Sequence, residues 1–176
     1  EALIAVEIPE QKGSFLRFCE ALGRRGVTEF NYRYSDASTA QLFVGLALSD
    51  GQKEKEAVIG MLKQAGYPVV DMSDNEMAKL HVRYMVGGHA QGLANERLFR
   101  FEFPERPGAL LKFLHAIGTQ WNITLFHYRN HGSDYGRVLA GIQIPPQESV
   151  DFDLHVRELK YVYAEETDNP AYRMFL

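Results

Sequence analysis

The sequence predicts an α+β fold made of two successive copies of one β-α-β-β-α-β unit. Three observations predict it. Residues 9–18 read PEQKGSFLRF and return, 95 positions later, as PERPGALLKF at 104–113. FNYR at 30–33 returns as FHYR at 126–129, Gly23 as Gly118, Gly45 as Gly141, and Asp74-Asn75 as Asp168-Asn169. Stretches of period-two and helical hydrophobic patterning also follow one another in the same order in both halves. The expected division is a first unit at 1–86, a connector at 87–95 and a second unit at 96–176. Units of about 80 residues bury limited apolar surface alone, so the copies should pack on each other or on something else.

Each element has a local reason. Ile4, Val6 and Ile8 alternate with Ala5 and Glu7, and Phe99, Phe101 and Phe103 with Arg100 and Glu102, as in strands with one buried face. A Pro-Glu turn with a glycine, Gly13 or Gly108, then leads into a helix. Phe15, Phe18, Cys19 and Leu22 form one apolar stripe, and Leu110, Phe113, Leu114 and Ile117 form its counterpart. Ser14 is a candidate cap for the first helix, and Gly23 and Gly118 suit a left-handed end. Two strands follow, aromatic-rich at 28–34 and 124–129, aliphatic at 41–48 and 138–144. Val58, Met61, Leu62 and Ala65 mark a second helix, and Phe152, His155, Val156 and Leu159 a shorter version of it. A fourth strand closes each unit at 69–72 and 161–164. This order is the ferredoxin-like split βαβ: an antiparallel sheet with its helices on one face. Met77, Leu80 and Tyr84 add a short helix after the first unit. Gly87-Gly88 and Gly92 break any period in the connector.

Composition excludes several classes. Apolar residues make up 45% and charged residues 24%, ordinary for a globular chain, and no run is long enough to span a membrane. A net charge of −4 argues against a nucleic-acid partner. The single cysteine, Cys19, lies on an apolar stripe. It reads as a buried structural thiol in a reducing, cytoplasmic compartment. The chain opens directly into a strand pattern with neither a signal peptide nor an initiator Met, so a fragment of a larger protein is expected.

No catalytic constellation assembles. There is no P-loop, dinucleotide fingerprint or nucleophile elbow. Glu165 and Glu166 are adjacent and face opposite sides of a strand. His127 and His131 lack further metal ligands, so no metal site is expected. The Pro-Glu-x-x-Gly turns could present backbone N–H groups to a carboxylate, or simply require glycine to turn. Phe30, Tyr32 and Tyr34 share one strand face, and Phe126 and Tyr128 one face of the matching strand. They suit core packing first, then a small-ligand pocket. A stacking platform for RNA bases is disfavoured by the acidic balance.

PEQKGSFLRFCEALG, TEFNYRY, LHVRYMVGG, PERPGALLKF, WNITLFHYRNHGSDYGRVLAGIQ and DNPAYRMFL together resemble the C-terminal regulatory region of biosynthetic threonine dehydratases. That region is built from two ACT-like subdomains. The resemblance implies binding of isoleucine as feedback inhibitor and valine as activator. It also implies a homo-oligomer and an upstream catalytic domain holding pyridoxal phosphate, with no cofactor or catalytic residue in this chain. It carries effector binding onto Phe15, Arg25, Tyr32 and Arg83 in copy one, and onto Leu110, Tyr128 and Arg129 in copy two. Lys12 stands where copy two has Pro107, and copy one lacks the stretch at 133–136, so the two sites need not be equivalent. The competing expectation is an oligomerisation module with no ligand of its own.

Overall fold

A computed structural model describes the 176 residues except Asp36, Met85, Val86, Gly118, His131 and Ser133. The expected helix end at Gly118, His131 of the histidine pair, the connector boundary at Val86 and Ser133 of the copy-two insertion therefore lie outside the described residues.

The alternation of the first strand becomes β1 (Ala2–Pro9), whose Ile4, Val6 and Ile8 are buried in the main core. It continues into α1 (Ser14–Leu22), β2 (Val27–Arg33), β3 (Thr39–Leu46), α2 (Gly51–Gln64) and β4 (Val69–Asp71). Copy two repeats this order as β5 (Glu96–Pro104), α4 (Ala109–Ile117), β6 (Asn122–Arg129), β7 (Tyr135–Gln143), α5 (Ser149–Glu158) and β8 (Val162–Glu165). Between the copies lie α3 (Glu76–Leu80) and a 3-10 turn, Val82–Tyr84. A second 3-10 turn, Pro146–Glu148, precedes α5, and α6 (Pro170–Phe175) follows β8.

Ser14 does not cap α1. The N-cap position is Gly13 at φ 79, a left-handed conformation that a side chain would resist. Ser14 is the first helical residue, and its hydroxyl accepts a hydrogen bond from Arg17. Gly108 repeats the conformation at φ 84, so the glycine of each Pro-Glu turn is needed by the backbone itself.

The two four-stranded sheets are not separate. They join into one eight-stranded sheet of order β4-β1-β3-β2-β6-β7-β5-β8, every pairing antiparallel. The joint is β2 against β6, with Asn31 opposite His127, Phe30 opposite Tyr128 and Tyr32 opposite Phe126. Since Phe30 matches Phe126 and Tyr32 matches Tyr128, this register is a local two-fold. It sets the start of each central strand beside the Pro-Glu turn of the other copy.

One apolar core runs beneath both copies. Phe15 packs 5.3 Å from Phe30 and 5.6 Å from Phe126 between ring centres, and Phe113 of α4 lies 6.3 Å from Phe126. The helices α1 and α4 lie side by side, and His115 stands 3.5 Å from Glu20 across them.

Not every helix is on that face. Ala78 of α3 packs with Leu3 and Phe43 in a smaller cluster on the opposite side of the sheet. Tyr172 of α6 donates to Glu96, also on that side. The sequence expectation omitted α6, although Asp168-Asn169 echoed Asp74-Asn75. Both asparagines are helix caps, accepting from Ala78 N and Ala171 N.

Candidate functional site

The Pro-Glu turn of copy two places a carboxylate where the sheet meets α4. Glu105 N donates to Asp134 O at 2.8 Å, which pins the turn. Tyr128, on the helix side of β6, donates its hydroxyl to Glu105 Oε2 at 2.7 Å. Burial, then the adjacent Glu105 carboxylate, pushes the Tyr128 hydroxyl far above the usual phenol range, so it remains a proton donor. Phe103 stacks parallel to the Tyr128 ring and fixes its plane.

Copy one supplies the opposite wall. Arg24, Arg25 and Gly26 follow the end of α1, and Arg25 Nη1 donates to Leu22 O at 2.7 Å, a cation on a helix C-terminus. Between the walls is a cleft of about 360 Å³. Its polar part holds Glu105, Arg24, Arg25, Arg106 and Asn130, and its apolar part Leu22, Val27, Leu110 and Leu111. Cys19 also borders it, but burial pushes its thiol up to about 12, which removes it as a nucleophile. The arrangement suits a small zwitterion: a carboxylate for the ammonium, guanidinium groups for the carboxylate, and a leucine-lined slot for an apolar side chain.

The two-fold register places a second such corner around Glu10. Tyr32 donates to Glu10, as Tyr128 does to Glu105, and Phe15 packs 4.8 Å from the Tyr32 ring. Here Asn122 from copy two reaches in, and its Nδ2 donates to Glu10 Oε1 at 3.2 Å.

The residues carried over by resemblance therefore divide three ways. Arg25, Leu110 and Tyr128 line the cleft. Phe15 and Tyr32 hold the matching positions at the Glu10 corner. Arg83 and Arg129 lie on the opposite face of the sheet. Arg83 stands 2.5 Å from buried Glu29 and 3.1 Å from Glu1, and the Arg129 guanidinium lies 4.7 Å over the Tyr84 ring. Sequence reasoning missed Glu105, Arg24, Arg106 and Gly26. The signal for Glu105 was present, since the turns repeat Pro-Glu and the strands repeat the tyrosine that binds it.

A larger opening of about 450 Å³ lies on the opposite face beneath α3, among Phe43, Met72, Met77 and Val82. Among the described residues its lining includes no carboxylate to balance an ammonium.

The model of the C-terminal regulatory domain of threonine dehydratase matches residues 1–82 and 87–176. The chain belongs to that family. Its similarity to L-threonine dehydratase biosynthetic IlvA of Escherichia coli K12 is 60% identity over 176 residues, which is 100% of this chain and 34% of the relative. With the mitochondrial threonine dehydratase of Saccharomyces cerevisiae it shares 45% over 184 residues, covering 32% of that protein. With the chloroplastic biosynthetic threonine dehydratase 1 of Solanum lycopersicum the figures are 42% and 29%. The chain thus spans about a third of the length of these relatives. In this threonine dehydratase regulatory domain, the cleft and the Glu10 corner both lie where one copy's central strand begins beside the other copy's turn. Among the described residues, no helix is long and apolar enough to cross a membrane.

Proposed function

We propose that this chain is the amino-acid-sensing part of a biosynthetic threonine dehydratase. It takes isoleucine as feedback inhibitor and valine as antagonistic activator in the cleft between the copies. The observation that carries the reading is the composition of that cleft: one carboxylate, three arginines and a leucine wall facing a small volume. Glu105 holds the ammonium, the arginines hold the carboxylate, and Leu110 and Leu111 meet the branched side chain. Isoleucine and valine differ by one methylene, which is worth only about 1–3 kcal/mol in an apolar slot. Their opposite effects therefore require different preferred arrangements of the two walls rather than different affinities alone. Of the other residues carried over as effector-binding, Phe15 and Tyr32 stand at the Glu10 corner, and Arg83 and Arg129 lie on the opposite face of the sheet. Residues 1–86 and 96–176 form the two units joined there.

The whole protein would be a cytoplasmic homo-oligomeric lyase whose catalytic domain lies upstream and uses pyridoxal phosphate. Lys55, the buried lysine of this chain among the described residues, is held 2.9 Å from Asp71 and does not offer its amine to that cofactor's aldehyde. Calorimetric titration with L-isoleucine, L-valine and L-leucine tests the reading. Saturable heat with isoleucine and competition by valine are expected. Silence with all three, together with assembly unaffected by isoleucine, would favour a pure oligomerisation module. The exposed apolar side chains of the two outermost strands, Val70 and Val162, are the features that favour this second reading.

A further inference from the structure

Repetition within the chain supplies an internal control for its own binding site. Ala47 N donates to Gly26 O, and Asn122 pairs with Gln143 at the matching place in the other copy. The next residues, Val27 and Ile123, face Leu46 and Ile142. Gly26 and Asn122 are therefore the same position of the fold, Gly26 just before β2 and Asn122 the first residue of β6. Gly26 lines the open cleft beside Glu105 and Tyr128. At the corresponding corner, the Asn122 amide is the hydrogen-bond donor on the carboxylate that Tyr32 also holds.

We propose that Asn122 is a built-in plug. Its side chain fills a second amino-acid site around Glu10 and Tyr32, and the absence of a side chain at Gly26 keeps the first site open. This rests on the amino-acid reading of the cleft. The Asn122 amide stands in for the ligand's ammonium: both are nitrogen donors offered to a carboxylate that already accepts a tyrosine hydroxyl. The second site would take the same class of ligand, a small α-amino acid with an apolar side chain, since Phe15 and Leu16 stand where the cleft has Leu110 and Leu111. Exchange of the two residues is sterically open at Gly26. A Cβ there meets only the Ala47 Cβ at 3.4 Å, and its φ is not left-handed. A one-residue-longer loop before β6 accompanies the plug and buries Trp121, whose indole donates to Glu148 at 2.9 Å and anchors the segment.

Two variants decide the matter, and their crystal structures come first because they need no ligand. In Gly26→Asn the new amide should bond Glu105 and close the cleft. In Asn122→Gly a space should open beside Glu10. An amide turned to solvent in the first, or Tyr32 collapsed into the space in the second, overturns the proposal. Titration with L-isoleucine follows: one equivalent per chain for the unaltered protein, none for Gly26→Asn, two for Asn122→Gly. Asn122→Ala serves in its place if the glycine variant does not fold. A variant that still binds only one equivalent also overturns the plug, while leaving the sensing function intact. No heat from the unaltered chain would overturn the sensing function instead, and the plug would stand or fall on the two crystal structures.

Discussion

Glu105 and Tyr128 act as a pair, because the carboxylate accepts the hydroxyl of a buried tyrosine. Replacing Glu105 by Gln keeps an oxygen acceptor for Tyr128 and removes the charge that an ammonium needs. Charge-assisted bonds are worth about 1.5–3 kcal/mol, so isoleucine binding should weaken by roughly 10- to 100-fold while the melting temperature barely moves. Calorimetry beside a thermal melt checks this. Equal binding by Glu105→Gln would place the ammonium elsewhere. The same reasoning explains why the tyrosines were legible in the sequence and the glutamate was not. An aromatic on a patterned strand announces a buried face, whereas a carboxylate in a turn looks like solvated surface until the opposite wall is known.

At the scale of elements, copy two carries a clamp centred on Arg97, where copy one ties its outermost strand to α2 through Lys55 and Asp71. Arg97 of β5 reaches Glu165 of β8 and Asp153 of α5, each at 2.9 Å, tying the outermost strand and a helix to the sheet. The Arg97 hydrogen bond holds the Glu165 carboxyl below its ordinary value. A carboxyl depressed in the folded state contributes stability that is present above its unfolded value, about 4.3, and lost as pH falls through the folded one. Arg97→Met should therefore cost about 1 kcal/mol near neutrality, allowing for solvent screening, and progressively less on acidification below pH about 4. Urea denaturation at a series of pH values reads this directly. A cost that persists unchanged in acid would assign the role of Arg97 to packing against Phe99 and Phe152. The short helix α6 depends on its cap in the same local way. Asn169→Ala should cost about 1 kcal/mol and raise amide exchange over residues 170–175. Unchanged exchange would mean that the Tyr172–Glu96 and Arg33–Leu176 contacts hold the helix without its cap.

For the molecule as a whole, the β2–β6 joint makes two small units share one core. Phe126 is fully buried and touches Phe15, Phe30 and Phe113, two of them from the other copy. Phe126→Ala should cost about 3–5 kcal/mol and loosen the cleft, since both of its walls are hung on that joint. Chemical denaturation monitored separately by Trp121 fluorescence, in copy two, and by far-ultraviolet dichroism should coincide for the unaltered chain. The two probes should separate in the variant. Coincident curves with a small loss would show that the copies do not rely on this contact.

Strand order, the helices other than α6, the apolar faces, the duplicated turn with its obligatory glycine, and the family were readable from residues 1–176. These follow from short-range rules: period two, period 3.6, and the φ that glycine alone adopts cheaply. The motif match carried Arg25, Leu110 and Tyr128 to the cleft for the same reason, since local sequence fixes which strand and helix face each occupies. What only the tertiary structure decided was the pairing of β2 with β6. Nothing local distinguishes an edge strand that stays open from one that meets its own repeat, because the hydrogen-bonding groups are the same in both cases. That pairing brings Gly26 to Glu105 and Asn122 to Glu10 across long stretches of sequence. The difference between Gly26 at one corner and Asn122 on Glu10 at the other has meaning only once the two copies are set face to face.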